Sequence, residues 1–578
     1  MSGATGAEAA PDVAGALDMI LTQAALGPVR RFLPGRSALK FAWALAGQPS
    51  LVASRAGGLA AELARVAGGG SALAPGAKDR RFADPAWSGN PLLRRVMQAY
   101  LATGSTALGL VDEVPLDWRD AERMRFAVSN LIDALAPSNS PLLSPEAWKA
   151  AIDSGGASLV AGTKNLVSDL SSAPRIPSMV PPDAFTVGTD LAVSPGAVVL
   201  RAPVYELIQY QPSTETVREM PLLIVPPTIN KFYILDLAPG RSMVEYLTGQ
   251  GFQVFVMSWR NPDAQHAAWG MDEYVQAIID AAGVAAGIRG TDAVHLLAAC
   301  SGGILAGVAA ALQPSAAGGG GGGGGAADES TAWPRLASLG LLVTMLDQSR
   351  TDSVGAVVDE SMADAAIAAS ARQGYLDGRR LAEVFAWLRP GDLIWNYWVN
   401  NYLLGREPAK FDILFWNADT TRMTAGLHRD FVRAAVANSL AKPSGLTVLG
   451  TEVDLARVTV DSYVVAGVAD HICPWQSCYR SAQLLGGQTR FVLSTSGHIA
   501  ALVNPAGNKK SSYQVGDDVT ADAGDWQRSA PAVHGSWWPD YAAWLAERSG
   551  AQVPAPATLG SEQFAVIEAA PGSYVRAA

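Results

Sequence analysis

Thr291-Asp-Ala-Val-His-Leu-Leu-Ala-Ala-Cys300-Ser-Gly-Gly-Ile-Leu-Ala-Gly-Val-Ala-Ala-Ala-Leu312 is the stretch that decides the fold. It opens on an apolar run, Ala293 to Ala299, turns at Cys300-Ser301-Gly302-Gly303, and continues into an Ala- and Leu-rich segment of helical composition. Strand, sharp turn and helix are the setting of a nucleophile elbow, usually written G-x-S-x-G. Here Cys300 holds the nucleophile's place and Ala298 stands where the pattern has its first glycine. The turn needs small neighbours, because strand and helix backbones run close together and the nucleophile's own backbone is strained. Ala298 and Gly302 are both small. Taken alone, the stretch suits an inert buried thiol equally well, since free cysteine is commonly buried. The residues around it decide.

Strand and helix alternate on both sides of the elbow. Upstream lie an apolar strand at Pro221–Val225, a helix at Ser242–Leu247, a strand at Phe252–Ser258 and a long helix at Met271–Ala286. Downstream, strands are predicted at Leu336–Leu346, Val460–Val465 and Arg490–Leu493. Such alternation implies a mostly parallel sheet with helices on both faces. Ala197–Arg201 and Tyr205–Tyr210 read as an antiparallel ribbon before it. Two segments interrupt the pattern. Gly318 to Gly325 is eight glycines in a row, expected as a flexible surface insertion. Residues 350–445 are aromatic-rich and helical, expected as a cap over the site.

Ahead of the sheet, residues 1–78 are Ala- and Gly-rich and are expected as a partly disordered arm with helical pieces such as Leu51–Val66. Residues 79–180 read as an N-terminal helical domain. Its third helix begins at Ser144-Pro145-Glu146, where Ser144 can cap and Pro145 fits the first position. The catalytic domain then spans 181–578. Composition narrows the function. A net charge of −10 argues against a general nucleic-acid binder. Three cysteines, Cys300, Cys473 and Cys478, form no disulfide framework and suit a cytoplasmic chain. No leader, transmembrane run or metal-ligand spacing is seen, so neither metal nor cofactor is expected.

The strand before Asp470 ends at Gly467, and the one before His498 ends near Ser496. Cys300, Asp470 and His498 thus fall at strand ends in the chain order of an α/β-hydrolase triad. They supply a nucleophile, an orienting acid and a base. The backbone N–H of Ser301, with a donor near Ile229 or Asn230, is expected to form the oxyanion site. His295 and Asp292 are weaker candidates, and His266, His428 and His534 have no such context. A thiol attacking a thioester yields another thioester, so acyl activation is kept. A cysteine triad therefore fits transfer from thioesters better than hydrolysis, with water held off by an apolar cap. Whether Asp470 orients His498 or acts on a substrate hydroxyl is open from the order alone; orientation is favoured, because a carboxylate of pKa about 3.9 is a weak base towards an alcohol.

These stretches, with Pro137-Ser-Asn139, Leu207-Ile-Gln-Tyr210, Pro226-Pro-Thr-Ile-Asn-Lys-Phe-Tyr-Ile-Leu-Asp-Leu237, Ser258-Trp-Arg-Asn-Pro262, Asp392-Leu-Ile-Trp395, Asp470-His-Ile-Cys-Pro-Trp475, Ser496-Gly-His498 and Gly535-Ser-Trp-Trp-Pro539, resemble the polyhydroxyalkanoate synthases from roughly Asp79 to Leu545. The resemblance implies polymerisation of (R)-3-hydroxyacyl-CoA into polyester, with CoA released and a thioester on Cys300. It also implies a single-subunit enzyme, a homodimer, and a cytoplasmic location on polyester granules. The Ala-Cys-Ser-Gly-Gly box is most similar to members favouring medium-chain monomers. The rivals are a cap-bearing thiol hydrolase, which would release acid, and a non-catalytic granule coat.

Overall fold

The computed structural model describes residues 21, 24, 25, 36–77, 79–171, 173–313, 333–348 and 360–577. The glycine run 318–325 and most of residues 1–35 lie outside them. The chain forms two compact units. One contains 182–381 and 411–578, and the other contains 26–181 with 382–410.

The first unit is built on an eleven-stranded sheet. In chain order its strands are β1 (Gly196–Arg201), β2 (Tyr205–Tyr210), β3 (Leu222–Val225), β4 (Val254–Trp259), β5 (Ala293–Ala299) and β6 (Arg335–Leu342), followed by β7 (Ser462–Gly467), β8 (Thr489–Ser494), β9 (Ser512–Gly516), β10 (Ala532–His534) and β11 (Glu568–Ala569). Across the sheet they run β10-β9-β8-β7-β6-β5-β3-β4-β2-β1-β11. From β8 to β4 all neighbours are parallel. Both flanks are antiparallel, including the predicted β1–β2 ribbon. Every residue of β3, β4, β5 and β7 is buried, which is why these strands read as nearly continuous apolar runs instead of alternating ones. The core reaches from Leu222 and Ile224 through Leu297 and Leu342 to Val465 and Val492, and continues into Tyr463, Trp537, Tyr541 and Trp544.

The predicted strands are present with boundaries moved by a few residues, because β6 stops at Leu342 before a bend and β7 starts at Ser462. Strands β9, β10 and β11 were not foreseen from the sequence. They lie at or next to the sheet's edges and are two to five residues long, with few apolar residues to mark them.

The second unit is helical. Its helices are α1 (Arg36–Ala46), α2 (Pro49–Gly68), α3 (Pro91–Glu113), α4 (Trp118–Ala134), α5 (Pro145–Asp153) and α6 (Ala157–Ser171). Asn90 Oδ1 caps α3 by accepting from Leu92 N at 2.9 Å, with Pro91 at the first position. Ser144 Oγ caps α5 by accepting from Ala147 N at 3.3 Å, as its sequence suggested. In the stretch expected as a partly disordered arm with helical pieces such as Leu51–Val66, residues 36–68 form α1 and α2, which are tied to the rest of this unit. Arg55 pairs with Glu113, the Ser37 hydroxyl donates to buried Asp120, and Gln98 Nε2 holds the chain after α2 through Ser71 O and Leu73 O.

Residues 382–410 come from the middle of the expected cap, yet belong to this helical unit. Two π-wound turns, Gly391–Trp395 and Trp398–Leu403, carry Trp395, Trp398 and Tyr402, which with Trp387 from the preceding helix form a row of T-shaped ring contacts. Tyr402 OH donates to Asp169 at 2.7 Å, and Asn165 Nδ2 donates to Asn401 O at 3.0 Å. A side chain on Gly162 would meet Tyr402 O at 1.9 Å, so α6 and this segment touch backbone to backbone.

Candidate active site

Cys300 is the first residue of the helix α7 (Cys300–Ala311), directly after β5. Its φ of +51° lies in the left-handed region, where a non-glycine residue is strained. The two glycines that follow are sterically required. A Cβ on Gly302 would stand 2.2 Å from Pro226 O, and one on Gly303 would stand 2.0 Å from Thr344 Oγ1. Ala298 pairs with Val225 on one side and Leu341 on the other, and its methyl is buried within β5. The sheet thus accepts alanine where the usual pattern has glycine.

The loop after β7 places Asp470, and the turn after β8 places His498. These loops are cross-linked, with Ala469 N donating to Ser496 O at 3.1 Å and Val468 N to Ser494 O at 2.8 Å. His498 Nδ1 donates to Asp470 Oδ2 at 2.7 Å, and both residues are buried. Oδ1 of the same carboxylate accepts from the backbone of Ile472 at 2.8 Å and Cys473 at 2.9 Å. His498 opens a short helix, α8 (His498–Leu502), whose far end is pinned by Trp537 Nε1 donating to Ala501 O at 2.8 Å. This explains the Gly535-Ser-Trp-Trp-Pro539 motif. Trp537 is fully buried, and the Ser536 hydroxyl donates to Asn504 O just beyond α8.

One ligating atom from each of Cys300, Cys473 and His498 lies within 4.8 Å of the others. With Nδ1 engaged by Asp470, the nitrogen facing the sulfur is Nε2. The Cys300 thiol is held well below its ordinary pKa. A hydrogen bond from the Cys473 thiol contributes most, and the His498 imidazolium and Ser301 backbone N–H add to it against the effect of burial. Burial pulls the His498 imidazole down, but the Asp470 charge, its hydrogen bond and Cys300 prevail and raise it to about 10. The Cys473 thiol moves the other way, pushed well above its usual range by its bond to Cys300 and by burial. These opposite shifts favour a thiolate–imidazolium pair over the neutral thiol and imidazole. From the sequence, His498 is expected to take this proton, and the direction of both shifts favours that transfer.

The loop after β3 carries the remaining expected residues. Ile229 is buried and its carbonyl accepts from Thr421 N at 2.9 Å, while Asn230 bridges to Thr420. Part of the expected cap, residues 420–421, thus fixes this loop. Sequence reasoning missed Thr228, whose N–H and hydroxyl both donate to Ser301 Oγ, at 2.9 and 3.0 Å, and so tie the loop to the elbow. It also missed Cys473, for which spacing gave no signal. The other histidines are structural or apart. His295 lies between Ser338 Oγ at 2.7 Å and Ser549 Oγ at 3.1 Å, its pKa lowered to about 3 by burial. His428 bonds Ser370 Oγ at 2.7 Å and is lowered to about 4, again by burial. His266 caps its own turn by accepting from Asp263 N at 3.2 Å, and His534 is exposed on β10.

Comparison with known proteins gives consistent results. Residues 78–247 match the family model described as Poly-beta-hydroxybutyrate polymerase (PhaC) N-terminus, and residues 358–505 match the α/β-hydrolase fold. The chain is 45% identical over 518 residues to poly(3-hydroxyalkanoate) polymerase 1 of Ectopseudomonas oleovorans, covering 89% of each chain. It is 41% identical over 506 residues to the poly(3-hydroxyalkanoate) polymerase subunit PhaC of Cupriavidus necator, covering 86% of this chain and 83% of that one. Among solved structures, a monoacylglycerol lipase of Paleococcus ferrophilus aligns at 12% identity over 60% of this chain and 99% of that one, with a TM-score of 0.30.

Proposed function

The chain belongs to the poly(3-hydroxyalkanoate) polymerases, and we propose that it carries the growing polyester as a thioester on Cys300. The observation behind this assignment is the juxtaposition of a strained Cys300 with the Asp470-held imidazole of His498. The enzyme is an acyltransferase that joins hydroxyacyl units from CoA thioesters.

The steps follow from the resting charges. The Cys300 thiolate attacks the thioester carbonyl of the hydroxyacyl-CoA, the carbonyl carbon–sulfur bond to CoA breaks, and the His498 imidazolium gives its proton to the departing CoA sulfur. The neutral imidazole then removes the proton from an incoming 3-hydroxyl. The alkoxide oxygen of that incoming hydroxyacyl-CoA attacks the Cys300 thioester, the carbonyl carbon–sulfur bond to Cys300 breaks as the ester bond forms, and the thiolate–imidazolium pair is restored; Cys300 then attacks the lengthened acyl-CoA, and CoA leaves as before. The tetrahedral oxyanions are stabilised by Ser301 N–H and by an N–H of the loop at Ile229–Asn230, which Thr228 ties to the elbow. Asp470 orients the imidazole, because both its oxygens are already engaged by His498, Ile472 and Cys473. No cofactor enters these steps; CoA is part of the substrate and a product. Single-turnover CoA release, with the product analysed as polymer or free acid, tests this reading. Free acid would instead favour a thiol hydrolase.

The polyester surface is the proposed resting place of the enzyme in the cytoplasm. Supporting this, α5, α6 and the turn before them expose Leu142, Trp148, Ile152, Val160 and Val167, more apolar surface than a fully solvated face needs. Among the described residues no helix is long and apolar enough to cross a membrane. A homodimer and a preference for medium-chain monomers are proposed on the resemblance. Sedimentation during turnover and CoA release across acyl lengths test these two.

A further inference from the structure

Cys473 contributes no bond to the acyl transfer above, yet its sulfur stands in the same cluster as Cys300 and His498. Two sulfurs and an imidazole are a soft donor set, suited to zinc-like cations and not to magnesium or calcium. In a tetrahedral site with metal–sulfur bonds of about 2.3 Å and metal–nitrogen bonds of about 2.0 Å, neighbouring ligand atoms are roughly 3.5–3.8 Å apart. The three atoms here lie within 4.8 Å of one another, so a small closure suffices. A second observation points the same way. Metal-binding histidines commonly donate their other ring nitrogen to a carboxylate, and His498 Nδ1 donates to Asp470 Oδ2 at 2.7 Å. The other oxygen of that carboxylate holds the Cys473 backbone N–H at 2.9 Å, so one buried group positions both the imidazole and the second sulfur.

We propose that Cys300, Cys473 and His498 form a binding site for a soft divalent cation such as Zn2+, and that occupancy switches the enzyme off. The cation is held by two thiolate sulfurs and a neutral imidazole nitrogen, with the fourth position open to solvent. Protons still on these three groups pass to water as it binds, and no electron is transferred. Nucleophile and base are withdrawn together. Binding depends only on the geometry of the three side chains, whereas the loss of activity rests on the roles proposed above for Cys300 and His498.

The test uses the full-length chain, freed of metal with a chelator and titrated with Co2+ and, separately, with Zn2+. One Co2+ should bind per chain with sulfur-to-cobalt charge-transfer absorption, a spectrum that needs no polymer synthesis. Zn2+ should abolish CoA release, and the chelator should restore it. In Cys473→Ser, normalised to its own metal-free rate, the Zn2+ concentration for half inhibition should rise about tenfold or more. An unchanged Zn2+ sensitivity in Cys473→Ser, or bound Co2+ without charge-transfer absorption, would overturn the proposal. Should that variant not fold, the wild-type chain with Cys300 carboxamidomethylated decides. It should lose the cobalt absorption, and retaining it with one Co2+ bound defeats the proposal.

Discussion

His498 Nδ1 and Asp470 Oδ2 are 2.7 Å apart in a buried pair, with Cys300 on the far side of the imidazole. A negative group on each side of one ring makes its proton hard to remove. This arrangement governs the pH behaviour of the site and most of what substitutions there should do.

The thiolate fraction of Cys300 falls as pH falls through its pKa, and that pKa is well below the ordinary thiol range. Alkylation by iodoacetamide should therefore stay fast well below pH ~8.5, the value for a free thiol, and decline only in acid. Asp470→Asn removes the charge that keeps the imidazole protonated, so the Cys300 pKa should rise. At neutral pH its alkylation should slow by about tenfold for each unit by which the raised pKa exceeds the pH. An unshifted profile would disprove the electrostatic coupling.

The same Asp470→Asn variant should be slow in both halves of the cycle, by roughly 10²–10⁴-fold, since one imidazole serves both. Stopped-flow CoA release separates the halves. A first acylation at full speed with elongation blocked would show Asp470 acting on the substrate hydroxyl.

Cys300→Ala should release no CoA, and Cys300→Ser only a trace, because a hydroxyl ionises far less readily than a thiol of pKa ~8.5. Neither variant should lose much stability, which thermal unfolding will show. Near-normal turnover by the alanine variant would remove Cys300 from the chemistry.

Gly303→Ala should destabilise the protein by about 1–3 kcal/mol, since its methyl would meet Thr344 Oγ1 at 2.0 Å. Thr344→Ala in the same chain should recover part of this, as it removes the nearest atoms. Paired denaturant melts measure the recovery.

Trp537→Phe keeps a ring in the core but removes the donor to Ala501 O, leaving a buried carbonyl without it. A loss of about 1–3 kcal/mol is expected. Because Ala501 lies on the helix that His498 begins, kcat should fall while the substrate KM stays nearly constant.

Much of this site was legible in the sequence, for physical reasons. Strands β3, β4 and β5 are buried on both faces, so each leaves a nearly continuous apolar run. The elbow was legible because Gly302 and Gly303 admit no side chain, and the order Cys300, Asp470, His498 placed three reactive residues at strand ends. Less visible were features that depend on distant partners. Cys473 reaches the site because Asp470 draws in its backbone N–H, and Thr228 because it meets Ser301, 73 residues away. The resting charges arise from coupling among four side chains, and no local spacing encodes them.

The assignment of residues 382–410 to the helical unit bears on how truncated chains behave. From residue 36 onward the polypeptide passes between the two units at residues 181/182, 381/382 and 410/411, so no single cut divides them. A chain beginning at residue 182 would still contain Asn401 and Tyr402 but lack Asn165, Asp169 and Gly162, the residues they bond or touch. Removing the first third of the sequence is therefore also an internal lesion, and lost activity in such a chain reports an unpartnered segment within the remaining two-thirds as much as the missing helices.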